Sequence, residues 1–120
     1  YYKDGVSNLF TRLVEAKIEI QYLQLWLTQR NIPYLMTWAA GQGSKYHKIV
    51  DTGLAEVMTN KRLIPMSEFT CFSKGVEWSI EPYHNHPDDI GHLRISKFLL
   101  DWILTNNLLK PPITELLTNK

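Results

Sequence analysis

Cys71 is the only cysteine in the 120 residues. That excludes an internal disulfide and any Cys-rich zinc motif, and it is compatible with a reducing compartment. An excess of one charge is also lacking. Thirteen Lys and Arg face twelve Asp and Glu, a net charge of +1, so no basic field exists to hold nucleic acid or an acidic membrane surface. No apolar run is long enough to span a bilayer, and no signal-peptide pattern is present. Internal repeats, low-complexity tracts and a domain linker are absent as well. Gly41-Gln42-Gly43-Ser44-Lys45 has the position of a loop between strand and helix, where backbone N–H groups can meet a phosphate. Its spacing matches neither the phosphate-loop pattern nor the dinucleotide fingerprint, so it reads as an ordinary loop and no cofactor is expected. Nothing around Ser44 forms a nucleophile elbow.

What is present suits one globular domain over residues 1–120. A hydrophobic content of 44% and an aromatic content of 12% suffice for a core. The chain begins Tyr1-Tyr2 rather than with Met, which reads as a processed product or a fragment. From Val6 to Arg30, apolar residues recur at spacings of three and four: Val6, Leu9, Leu13, Ala16, Ile20, Leu23 and Leu27. This predicts a long amphipathic helix. Phe10, Val14 and Ile18 widen the stripe, with Leu25 and Trp26 at its end, so burial against a sheet or several helices is expected. Asn31 and Pro33 stop the helix. Ile32–Ala39 then reads as a buried strand. A second helix is expected from Tyr46 to about Met58, with Ile49, Val50, Leu54, Val57 and Met58 apolar. Lys61–Ile80 carries no clear period, although Leu63-Ile64 suits a short strand and Phe69, Phe72, Val76 and Trp78 supply core or cleft material. A last helix, from about Asp88 to Asn106, has Ile95, Phe98, Leu99, Trp102 and Ile103 on one face. Helix, break and buried strand in succession predict an α/β domain, with a small parallel sheet flanked by helices in three α/β/α layers.

The densest chemistry lies in His84-Asn85-His86-Pro87-Asp88-Asp89-Ile90-Gly91-His92. Histidine titrates nearest to neutral pH, so it suits proton transfer and metal binding. Asp88 or Asp89 is expected to cap the final helix, with Pro87 at its start, and Gly91 leaves room for close approach by a neighbouring element. Three readings stay open. His86 is a general base; or His84, His86 and His92 hold a metal, since His-x-His on an extended segment puts two rings on one side, although no fourth ligand is apparent; or the loop is structural.

His86-Pro87-x-x-x-Gly91-His92 before an amphipathic helix resembles the last block of the SGNH (GDSL-like) hydrolases, whose catalytic histidine lies in such a loop. The run Phe72–His92, with Trp78 ahead of the His-Pro pair, is also similar to SGNH-like proteins of marine phages. The resemblance implies a flavodoxin-like sheet, of which this chain is the C-terminal part. It implies ester hydrolysis by a Ser–His mechanism in the complete protein, with His86 as general base. No Gly-Asp-Ser motif occurs here, and the blocks that supply the oxyanion hole are missing. The family's acid, three residues before the histidine, is replaced by Tyr83. Glu81 is the substitute at hand, at the wrong spacing, and His84 is a second supporting candidate. A small ester is the expected substrate, and an incomplete sheet implies a homodimer through its open edge.

Overall fold

The computed structural model describes residues 5–39 and 47–112, with side chains from Asn8 onward. Among them are four α-helices: α1 (Gly5–Gln29), α2 (His47–Gly53), α3 (Cys71–Glu77) and α4 (Asp89–Thr105), with a 3-10 turn at Ala55–Met58. The expected α/β/α sandwich is not formed, and neither is a flavodoxin-like sheet. Ile32–Ala39 is extended, but it pairs only at isolated bridges: Met36 with Leu63 and Trp38 with Thr70, both parallel. The reason lies in the partner segment. Between Leu63 and Thr70 the chain turns at Pro65, whose carbonyl accepts from the N–H groups of Glu68 and Phe69 at 3.0 and 3.2 Å. Asp51 of α2 holds the same turn, its carboxylate accepting from the N–H groups of Met66 (2.7 Å) and Ser67 (2.9 Å). A segment folded back on itself cannot extend a ladder. With no sheet among the described residues, an open sheet edge for dimerisation is also lost.

Helix ends follow local chemistry. Asn31 and Asn107 adopt left-handed φ angles of 56° and 54°. Beside them, Ile32 donates to the Leu27 carbonyl, Asn31 to Thr28, Leu108 to Ile103 and Asn107 to Leu104. This is the double bond pattern of a Schellman stop, made with Asn in place of Gly. The second expected helix is instead split at Gly53-Leu54 into α2 and the 3-10 turn.

The main core gathers Val50, Leu54, Val57, Met58, Leu63 and Met66, against which Leu13 and Ile20 of α1 pack together with Met36 and Trp38. Lys17 of α1 pairs with Glu56 at 3.2 Å, and Gln24 donates to the Val57 carbonyl at 2.9 Å. These contacts set the rotation of α1. They turn Phe10, Val14 and Ile18 to solvent rather than into the core, contrary to the broad burial expected of that stripe. Arg62 is fully buried. Its guanidinium donates to the carbonyls of Tyr34, Leu108 and Lys110 at 3.0–3.1 Å, joining the extended segment to the chain beyond α4. A buried cation is tolerated because it is hydrogen-bonded.

α3 and α4 cross closely. A Cβ on Gly75 would lie 2.6 Å from Pro87 Cγ and 2.7 Å from Ile95 Cδ1, and one on Gly91 would collide with the Gly75 carbonyl oxygen and Ser79 Oγ. Close approach at Gly91 is therefore realised, and α3 is the element that makes it. Phe98 of α4 stacks on Phe69 with centroids 4.3 Å apart and planes 8° apart, and Trp78 and Trp102 flank it at 6.1 and 6.2 Å. Ile95, Phe98, Leu99, Trp102 and Ile103 are all half-buried.

Truncating Phe98 to Ala empties the centre of this aromatic stack, and a loss of about 3–5 kcal/mol in urea denaturation is expected. Gly91→Ala forces a methyl against backbone that cannot rotate away, and about 1–3 kcal/mol is expected from overpacking. Equal denaturation midpoints for Gly91→Ala and the parent chain would contradict the α3–α4 crossing.

Candidate functional site

The His loop is built from both of its ends. Tyr83 and His86 pair as an antiparallel bridge, with N–H to carbonyl distances of 2.8 and 3.2 Å. His84 and Asn85 between them have φ angles of 49° and 61°. Positive φ at both central residues is the signature of the tight hairpin turn whose twist matches its flanking arms. Both are among the non-glycine residues that accept positive φ most readily. His84 is exposed and meets the Tyr83 ring edge-on at 4.0 Å. The segment is thus a turn and not an extended strand, so the geometry that would aim His84 and His86 to one side does not arise. No group of three His, Cys, Asp or Glu among the described residues converges to hold a metal.

Asp88 anchors the loop. Its Oδ2 accepts from the N–H groups of Ile80 and Glu81, both at 2.9 Å, and its Oδ1 from Gly91 at 2.8 Å. Its own N–H donates to Ser79 Oγ at 2.9 Å, and that hydroxyl donates to the Gly75 carbonyl at 2.6 Å. One carboxylate therefore caps α4 and ties the end of α3 to the start of α4. The N–H of Glu81, then that of Gly91, hold the Asp88 pKa down to about 2 against the opposing effect of desolvation, because each bond favours the ionised form.

Below this anchor lies a cleft of about 390 Å³, lined by Ala39, Cys71, Phe72, His86, Pro87, His92 and Ile95. Its wall is largely apolar, with two imidazoles and one thiol. Ala39 follows the Trp38 bridge, so His86 stands at the carboxyl end of the extended segment. The His86 ring is edge-on to Phe72, with centroids 5.3 Å apart. His92 comes from the first turn of α4. Cys71 Sγ lies 3.1 Å from Thr37 Oγ1.

Of the residues singled out in the sequence, His86 and His92 share this cleft. His84 is not among its lining residues. Glu81 gives its backbone N–H to Asp88, and no bond joins its carboxylate to His86. The loop Gly41–Lys45, Ser44 included, lies outside the described residues, as does the tail Ile113–Lys120. Phe72, expected as core or cleft material, lines the cleft, while sequence reasoning missed Cys71. A second groove, lined by residues that include Lys61, Glu68, Phe98, Asp101 and Trp102, runs along another side of α4.

No known protein family, curated protein or solved structure matches this chain. Together with the missing sheet, this leaves the SGNH-like, esterase and phage assignments without support from fold or relatives.

Asp88 provides a pH test of the anchor. A depressed folded-state pKa stabilises the loop fully above the unfolded value near 4, and that contribution is lost as pH falls through about 2. Amide protection at Ile80, Glu81 and Gly91 is expected to decline between about pH 4 and about pH 2, followed by hydrogen exchange. Asp88→Ala should show the unprotected pattern already at neutral pH. Protection that persists in that variant would remove Asp88 from the role of anchor.

Proposed function

We propose that this chain carries the histidine side of an acyl-transfer site, with His86 as the base in hydrolysis of a small ester. The observation that carries the reading is the position of the His86 imidazole in the wall of the apolar cleft beside Phe72, Pro87 and Ile95. An apolar pocket suits the acyl group of a short-chain ester. An imidazole at its rim suits removal of a proton from an attacking hydroxyl and its return to the leaving alcohol. A base must also be held in place. The Asp88 bonds to Ile80, Glu81 and Gly91 fix the chain on both sides of His86.

In this mechanism the nucleophile lies outside the cleft lining. It attacks the ester carbonyl as His86 accepts its proton, and the imidazolium then protonates the departing alkoxide. Water repeats the sequence on the acyl intermediate. Neither Glu81 nor His84 orients His86 in this reading.

A second reading keeps the cleft and drops the chemistry, making it a binding pocket in a small assembly domain with a structural His loop. The composition of the lining favours it, since no hydroxyl side chain and no carboxylate is among the residues that line the cleft.

The two are separated by paired measurements. A butyl phosphonate ester titrated into labelled protein should move the imidazole signals of His86 and His92 under both readings. p-Nitrophenyl butyrate should be hydrolysed only at background by these 120 residues. In the full product of the gene it should be hydrolysed at a rate that His86→Ala lowers by about 100-fold or more. Hydrolysis indifferent to His86→Ala defeats the catalytic reading, and ligand binding with no hydrolysis in either form selects the binding pocket. A rate in the 120-residue chain that is lost in Cys71→Ser or Ser44→Ala would place the nucleophile within it and correct the mechanism.

A further inference from the structure

α1 has a second apolar face that the fold does not use. Phe10, Val14, Ile18, Tyr22 and Trp26 stand four residues apart and are 67%, 43%, 60%, 70% and 39% exposed. Leu25 beside them is 48% exposed. Residues at this spacing form one continuous ridge along a helix. None of the five carries a charge. Leu13 and Ile20 of α1 pack on the core, bordered by the Lys17–Glu56 pair and the Gln24–Val57 bond, so the ridge cannot rotate inward. Arg30 closes one end, its guanidinium 3.9 Å above the Trp26 ring.

We propose that this ridge is a two-fold interface, and that its occupant is α1 of a second copy of the chain. Three observations favour a second copy. The first is area. The six side chains present on the order of 600 Å² of apolar surface, close to the roughly 800 Å² per partner of a stable interface once their polar neighbours are added. The second is symmetry. A two-fold contact requires a surface that complements itself. With Ile18 on the axis, Val14 faces the partner's Tyr22 and Phe10 faces the partner's Trp26, so the smaller side chain meets the larger ring in the inner pair. Identical four-residue ridges interdigitate at a crossing angle of about −50°, the commonest helix pairing. The third is charge. The ridge side chains are uncharged and the one cation on them, Arg30, lies over Trp26 at the end, so like charges do not meet at the centre of a two-fold pair.

The test is the mass of the protein in solution by analytical ultracentrifugation, over about 1–100 µM. A dimer is expected. Ile18→Glu should weaken it at least about 100-fold while leaving the helical circular dichroism unchanged, because Ile18 supports no part of the core. Ile18→Cys in a Cys71→Ser background should oxidise to a covalent dimer, since the axis brings the two positions together. Lys48→Cys in the same background should not. A monomer at the highest concentration overturns the proposal. So does a dimer that survives Ile18→Glu unweakened, or one that Ile18→Cys fails to cross-link. Uptake of the ridge by a different protein while the chain itself stays monomeric would overturn it too.

Discussion

The Asp88 carboxylate is the constraint on which the functional region depends. It accepts three backbone N–H groups, two from the consecutive residues Ile80 and Glu81 before the hairpin and one from the first turn of α4. The Asp88 backbone N–H, donating to Ser79 Oγ, also reaches the last turn of α3. Each of those N–H groups would otherwise need water or another acceptor. A single ionised side chain thus sets the exit of α3, the entry of α4 and the span of the hairpin between them. His86 sits inside that span, so its place at the rim of the cleft follows from Asp88 rather than from any bond of its own ring.

The helix crossing beneath is the complementary condition. Asp88 can reach Ile80 and Glu81 only if α3 and α4 lie unusually close, and they do so because Gly75 and Gly91 present no side chains to one another. The Phe69, Trp78 and Phe98 rings fill the wider end of the same interface. Polar anchoring and aromatic packing therefore act on one helix pair from its two ends. The cleft with its two imidazoles is the space left on the side of Ala39, Cys71 and Phe72. Farther away, Arg62 performs a similar service for the other half, gathering carbonyls from segments remote in sequence.

Features governed by neighbours in the chain were legible in the sequence. α4, a cap from Asp88 or Asp89 and the stop at Asn31 all depend on contacts within about six residues. α3 was not legible, because seven residues give too few turns for a period to emerge. The parallel sheet was expected from Ile32–Ala39 and Leu63-Ile64. Those segments do meet in parallel at Met36 and Leu63. Whether a bridge grows into a ladder depends on the partner's continuation, and there Pro65 and the Asp51-held turn intervene. Within the site, His86 was legible from its block and Phe72 as core or cleft material, while Cys71 entered the cleft only through the packing of α3.

α1 shows the division most clearly. Its sequence determined a long helix with apolar residues over most of its circumference, together with the residues that end it. It could not determine which arc would be buried, because both arcs are apolar and burial is decided by what lies opposite. The tertiary structure made that choice through Leu13, Ile20, Lys17 and Gln24 and left Phe10, Val14, Ile18 and Tyr22 facing water. The same holds for the histidines. Sequence determined that three of them lie beside a helix start. Folding separated His84, on a hairpin turn, from His86 and His92, on a shared apolar wall, because side-chain direction is set by backbone angles and by elements remote in the chain.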